Sequence, residues 1–243
     1  MIDRTATASP KFLARTIGVL YLLTLLTGIF AQDFVSEKLI VSRDAAATAA
    51  NILAHKGLYQ IGFTVYMIEM ACQIAMTVLF YVLLRPVNKS VALVGTTLGI
   101  TGCIVKTFGR VFFLAPLYLQ GNYLSVFSPD QLQALALAFL TVNDRAAAMG
   151  LAFFGFGDFL HGYLIFKSTF LPRFLGVISI IAALGWMTFA YPSLGYSLFL
   201  YLAMFGLLGA LITIGWLLIK GVDEAKWRER AESASSFQPA ALS

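Results

Sequence analysis

Charge is what this chain has least of. Asp, Glu, Lys and Arg make up 12% of its 243 residues, against roughly 25% in an ordinary soluble domain. Histidine and cysteine occur twice each. Cys72 and Cys103 both fall mid-way along apolar stretches, so they point neither to a disulfide framework nor to a metal site. His55 and His161 stand far apart, with no Glu-Xaa-Xaa-His and no pair of histidines on one helix. That leaves too few ligands for zinc or haem, and no metal or other cofactor is expected. Phosphate-cradling glycine loops and a Ser–His–acid grouping are missing as well. So is any basic stripe with interleaved aromatics, which excludes a nucleic-acid partner. Nor is there a run of ten-residue polar/apolar alternation, which argues against a barrel.

What fills the chain is apolar: hydrophobic residues are 59% of it and the mean hydropathy is +0.83. A helix crossing a bilayer needs about 20 mostly apolar residues, because the hydrocarbon core is roughly 30 Å thick. Six stretches qualify: 12–31, 58–84, 91–119, 145–166, 171–191 and 194–219. The expected fold is an all-α membrane protein: one six-transmembrane-helix bundle over residues 1–222, with short helices over the outer face, and a mobile tail at 223–243. A cleaved signal peptide is a poorer reading of the first stretch. Its uncharged run from Thr16 to Gln32 is long, and Ile29 replaces the usual small residue.

The few charges orient the helices. Arg4, Lys11, Arg15, Arg85, Lys89, Lys167, Arg173, Lys220, Lys226, Arg228 and Arg230 lie on one side, and Lys38, Arg43 and Lys56 on the other. By the positive-inside bias both termini are expected in the cytoplasm. The inward turns are short, with Pro86 stopping one helix and Ser90 available to cap the next. The outward segments are longer. Asp44 to His55 reads as a capped helix with Gly57 as its stop, and Ser128-Pro129-Asp130-Gln131 as a helix start. An unbroken helix from Pro129 to Lys167 would be about 58 Å long, so the apolar run Leu132 to Leu140 is expected to fold over the outer face, as an interfacial helix or a lid.

Several local strings are non-repetitive. They are GVLYLLTLLTGIFA at 18–31, DAAATAANIL at 44–53, YVLLRPVNKS at 81–90, FSPDQL at 127–132, and GYLIFKS at 162–168 with LPR at 171–173. Over about residues 12–220 the chain resembles the bacterial membrane family called domain of unknown function 4386. The resemblance implies a six-span protein of a bacterial cytoplasmic membrane with no established activity. It also implies polar residues in the second and fourth spans. Gly157 stands where it implies a histidine, with Asp158 and His161 beside it.

Any chemistry belongs to the ionisable residues inside the spans. Glu69 lies roughly 3 Å outward of the midplane, Lys106 about 2 Å outward and Asp158 about 2–3 Å inward. Arg110 follows Lys106 by one turn, and His161 follows Asp158 at i+3. A charge at the bilayer centre costs roughly 2.5–3.5 kcal/mol, so these groups are expected to face inward and pair. Gly95, Gly99, Cys103, Lys106 and Arg110 share one stripe of the third span, which makes that face a packing seam. Gln73, Thr77, Thr24 and Thr27 are possible lining groups.

Two readings of the cluster stand: buried ion pairs that set helix register, or a functional pocket, which the number of charges favours. A pocket would take a small anionic or polar molecule for binding or transport. A membrane enzyme using Glu69 or Asp158 as acid or base is the alternative, but the spacing specifies no reaction. The bilayer and a small-molecule ligand are the expected partners.

Overall fold

A computed structural model describes residues 9–119 and 126–236. Arg4, part of the second outward segment and the end of the tail lie outside the described residues. Those described are helical or in turns, without strands. The longer helices are α1 (Pro10–Ile29), α2 (Ala45–Ala54), α3 (Lys56–Leu84), α4 (Lys89–Phe113), α5 (Pro129–Lys167), α6 (Arg173–Met187), α7 (Pro192–Ile219) and α8 (Glu224–Ser236). Six helical segments are long and apolar enough to cross a membrane. On α7, Leu200, Met204 and Leu208 follow one another at steps of four and are 67%, 64% and 57% exposed. Such a stripe is costly in water and at home against lipid tails. The protein is an all-α, multi-pass membrane protein.

Several expectations are corrected. Residues 129–140 do not leave the fourth span: α5 is a single helix of 39 residues. Ser128 caps it, accepting from the Gln131 N–H (3.3 Å), while the Gln131 side chain accepts from the Ser128 N–H (2.9 Å). No glycine or proline follows until Gly150, and Ala136 and Leu140, one turn apart, bury the apolar stripe that was expected to need cover elsewhere. The first span does not end near Ala31 either. Its helix widens into a π-turn at Phe30–Ser36 and continues through Glu37–Leu39. Val35 there is packed so closely on α3 that a Cβ on Gly62 would lie 2.6 Å from it.

Asp44 caps α2 through the Ala47 N–H (2.8 Å). The helix ends at Ala54, however, and not at a glycine: His55 makes the break, and Gly57 is already inside the first turn of α3. In the turn after α3 the cap is Asn88, accepting from the Val91 N–H at 3.0 Å, and not Ser90. The segment after Asp223, expected to be a mobile tail, forms α8. Gly221, at φ +68°, ends α7 in the left-handed conformation that favours glycine. The Asp223 N–H then bonds the Phe170 carbonyl (3.1 Å), and the Trp227 indole N–H bonds the Leu83 carbonyl (2.9 Å).

Contacts divide the chain into two compact units, with the division falling inside α1, α3, α4 and α5. One comprises residues 1–22, 73–102 and 151–243. Its core includes Ile17, Leu83, Leu84, Leu164, Leu175 and Leu217. Here α4 and α5 touch backbone to backbone: a Cβ on Gly157 would lie 2.8 Å from the Gly95 carbonyl oxygen. The other comprises residues 23–72 and 103–150. It is built around Val35, Ile52, Tyr59, Tyr66, Phe113 and Leu140.

Candidate functional site

The polar centre lies within the second unit, on α3, α4 and α5. Tyr59, Tyr66 and Glu69 follow at steps of seven and three, which puts them on one stripe of α3. Tyr59 stacks on Phe113 with centroids 4.3 Å apart, and Tyr66 meets the same ring edge-on at 5.5 Å. The Tyr59 hydroxyl donates to the Phe113 carbonyl. Tyr66 donates to Gln32 Oε1 at 2.9 Å and shares a hydrogen bond with Ser36 at 3.0 Å. These bonds fix the α3 face that presents Glu69.

Lys106 Nζ lies 2.6 Å from Glu69 Oε1, with both side chains largely covered. Gly28 of α1 makes room for the carboxylate, since a Cβ there would come within 3.3 Å of Oε1. The other carboxylate oxygen, Oε2, is buried without a hydrogen-bond partner.

Arg110 sits one turn along α4 and is only 4% exposed. Gly109 beside it lets α4 approach α5 closely: a Cβ there would lie 2.5 Å from that of Ala146. This approach brings Arg110 Nη1 to 3.0 Å from Asn143 Oδ1. The guanidinium carbon lies 3.4 Å from the centroid of the Tyr66 ring. Stacking on an aromatic face attracts a guanidinium but does not neutralise it. Among the described residues no carboxylate forms an ion pair with Arg110, and its Nε is buried without a partner.

Buried side-chain polar atoms without a partner, among the described residues, are Thr24 Oγ1, Glu69 Oε2, Thr107 Oγ1 and Arg110 Nε. All four belong to this unit. Such atoms each cost roughly 1–3 kcal/mol when left unmet, so their presence in one unit calls for an explanation.

The remaining sequence-derived candidates distribute differently. Thr24 and Thr27 are in the same unit; Thr27 bonds back to the Leu23 carbonyl at 2.6 Å, so its hydroxyl is engaged by its own helix. Asp158, His161, Gln73 and Thr77 belong to the other unit. There His161 is buried, with Nε2 3.3 Å from Thr96 Oγ1, a hydrogen bond to the Ala92 backbone, and its ring against Phe80. Both faces of its chemistry are taken up by packing. Asp158 is exposed, with Tyr21 within electrostatic range. Thr77 donates to the Gln73 carbonyl (2.8 Å) and packs where a Gly99 Cβ would be. Sequence reasoning missed Asn143, Tyr66, Gln32 and Ser36. Asn143 stands in the polar run Thr141-Val142-Asn143-Asp144-Arg145, so nothing in the sequence sets it apart from its neighbours.

The chain matches the model of the family described as Domain of unknown function (DUF4386) over residues 16–221, most of its length. It belongs to that family. An uncharacterized protein of the archaeon Archaeoglobus fulgidus is 28% identical over 149 residues, which cover 61% of this chain and 76% of that protein. No solved structure matches the chain. The family carries no established activity, so function has to be argued from the polar centre.

Proposed function

We propose that this DUF4386 protein binds a small anionic or polar molecule at the centre formed by Glu69, Lys106 and Arg110, as a membrane binding protein or transporter. Charge carries the reading. Lys106 and Glu69 cancel each other at 2.6 Å, which leaves the buried Arg110 as one unbalanced cation. A ligand with a negative charge would balance it, and polar atoms on that ligand would meet the unpartnered groups of Thr107 and Arg110. Asp158 and His161 belong to the other unit and form no part of the proposed centre. The setting we propose is a prokaryotic cytoplasmic membrane with both termini inside, on the strength of the basic residues at Lys11, Arg15, Arg85, Lys89, Lys167 and Arg173.

The test uses the full chain in neutral-lipid nanodiscs, titrated with chloride, acetate, phosphate and sulfate at constant ionic strength. Calorimetric binding or a rise in thermal midpoint with at least one anion is expected. In Arg110→Gln the response should fall by about 10-fold or more, the effect of deleting one buried charge-assisted contact. No response to any anion by folded wild-type protein, or an unchanged response in the variant, would overturn the reading.

A further inference from the structure

The orientation of Arg110 narrows the ligand further, on the premise that the centre binds anions at all. Two contacts immobilise the guanidinium. Its central carbon lies over the Tyr66 ring, 3.4 Å from the centroid, and Nη1 is spent on Asn143 Oδ1 at 3.0 Å. With the carbon and one terminal nitrogen engaged, the opposite edge of the planar group is the one left to bind. That edge contains Nε, buried and without a partner. Nε and Nη2 are the pair of donors that meets both oxygens of a carboxylate side-on, in two parallel hydrogen bonds. A spherical halide cannot use both donors equally well.

Net charge gives a second, independent restriction. With Lys106 and Glu69 paired at 2.6 Å, the three groups Glu69, Lys106 and Arg110 sum to one positive charge, and Asp33, exposed to the surroundings, lies within electrostatic range of Tyr66. A monoanion restores neutrality. A dianion such as sulfate would bring an uncompensated negative charge into a buried site, where isolated charge is strongly disfavoured.

One hydroxyl adds to the set: Thr107 precedes Arg110 by three residues on α4, hence lies on the adjoining face. It is buried and unpartnered, and it can serve a carboxylate oxygen or a polar substituent next to it.

We infer that the centre takes a small monocarboxylate, its two oxygens side-on against the Nε–Nη2 edge of Arg110.

The same nanodiscs decide this with a panel that varies shape and charge: acetate, propionate and lactate against chloride, sulfate, hydrogen phosphate and the neutral propionamide. Carboxylates should bind about 10-fold more tightly than chloride or sulfate, and propionamide more weakly than propionate by a similar factor. Arg110→Lys keeps the charge and removes the fork, so it should lose that carboxylate preference while retaining weak chloride binding. Equal affinities across the anions, or a lysine variant with undiminished preference, would overturn the carboxylate assignment and leave anion binding standing. Absence of binding by every anion would overturn both. Because the wild-type panel is decisive by itself, failure of the lysine variant to fold does not block the test.

Discussion

At the scale of single residues, the central fact is a pair and an odd cation. Glu69 is 5% exposed and Lys106 holds one of its oxygens at 2.6 Å. Taking both charges out of water costs several kcal/mol per ion, which their attraction repays only in part. Removing one partner is worse than removing both. Lys106→Met should therefore lower stability by about 3–5 kcal/mol, because it strands the Glu69 carboxylate. The double change Lys106→Met with Glu69→Leu should recover most of that loss. Thermal unfolding of the two variants and of Glu69→Leu in one detergent gives the cycle. Additive losses would show that the two side chains are not energetically coupled. The two roles of the centre also separate here: the pair governs stability, and Arg110 governs the proposed ligand.

At the scale of elements, α8 is the piece most open to its surroundings. Two carboxylates start it. Asp223 accepts from the Lys226 N–H at 3.2 Å and pairs with the Lys226 ammonium at 3.2 Å; the first of these chiefly holds it below the ordinary carboxylate range. Glu224 accepts from the Ser9 hydroxyl and from the Lys11 N–H, and the Ser9 bond is the main cause of its lowered pKa. A carboxyl group more acidic in the folded than in the unfolded chain adds stability above its ordinary value, and that stability is lost as pH falls. The seating of α8 against the start of α1 should therefore hold at neutral pH and loosen below about pH 4, near the ordinary values of Asp and Glu. Trp227 reports it, since its indole N–H bonds the Leu83 carbonyl at 2.9 Å. With Trp186 and Trp216 replaced by Phe, acidification should shift the Trp227 emission to the red, and Glu224→Gln should show part of that shift already at pH 7. An emission spectrum that ignores both changes would contradict the assignment.

At the scale of the whole molecule, six apolar helical segments carry the chain through the bilayer. Their proposed orientation follows from the basic residues, which would attract anionic headgroups on the side they face. Reporter domains fused after Lys89 and after Val222 should both read as cytoplasmic. A periplasmic or extracellular signal at either point would reverse or break the scheme.

Much of this was determined by sequence alone. Span number depends on local hydropathy over about 20 residues, and caps such as Asp44 and Ser128 depend on neighbours three positions away. The depths of Glu69 and Lys106 follow from counting residues at about 1.5 Å each. Tertiary structure decided the rest. Whether α5 would break near Leu140 hinged on whether that leucine found a buried place, and it did. Glu224–Ser236 form a helix whose start is held by the Leu83 carbonyl and Ser9, each more than 140 residues away. Depth along a helix says nothing about azimuth between helices. Only packing could bring Asn143 to Arg110 through the close approach at Gly109, assign Asp158 and His161 to the other unit, and leave the Nε of one buried guanidinium without a partner.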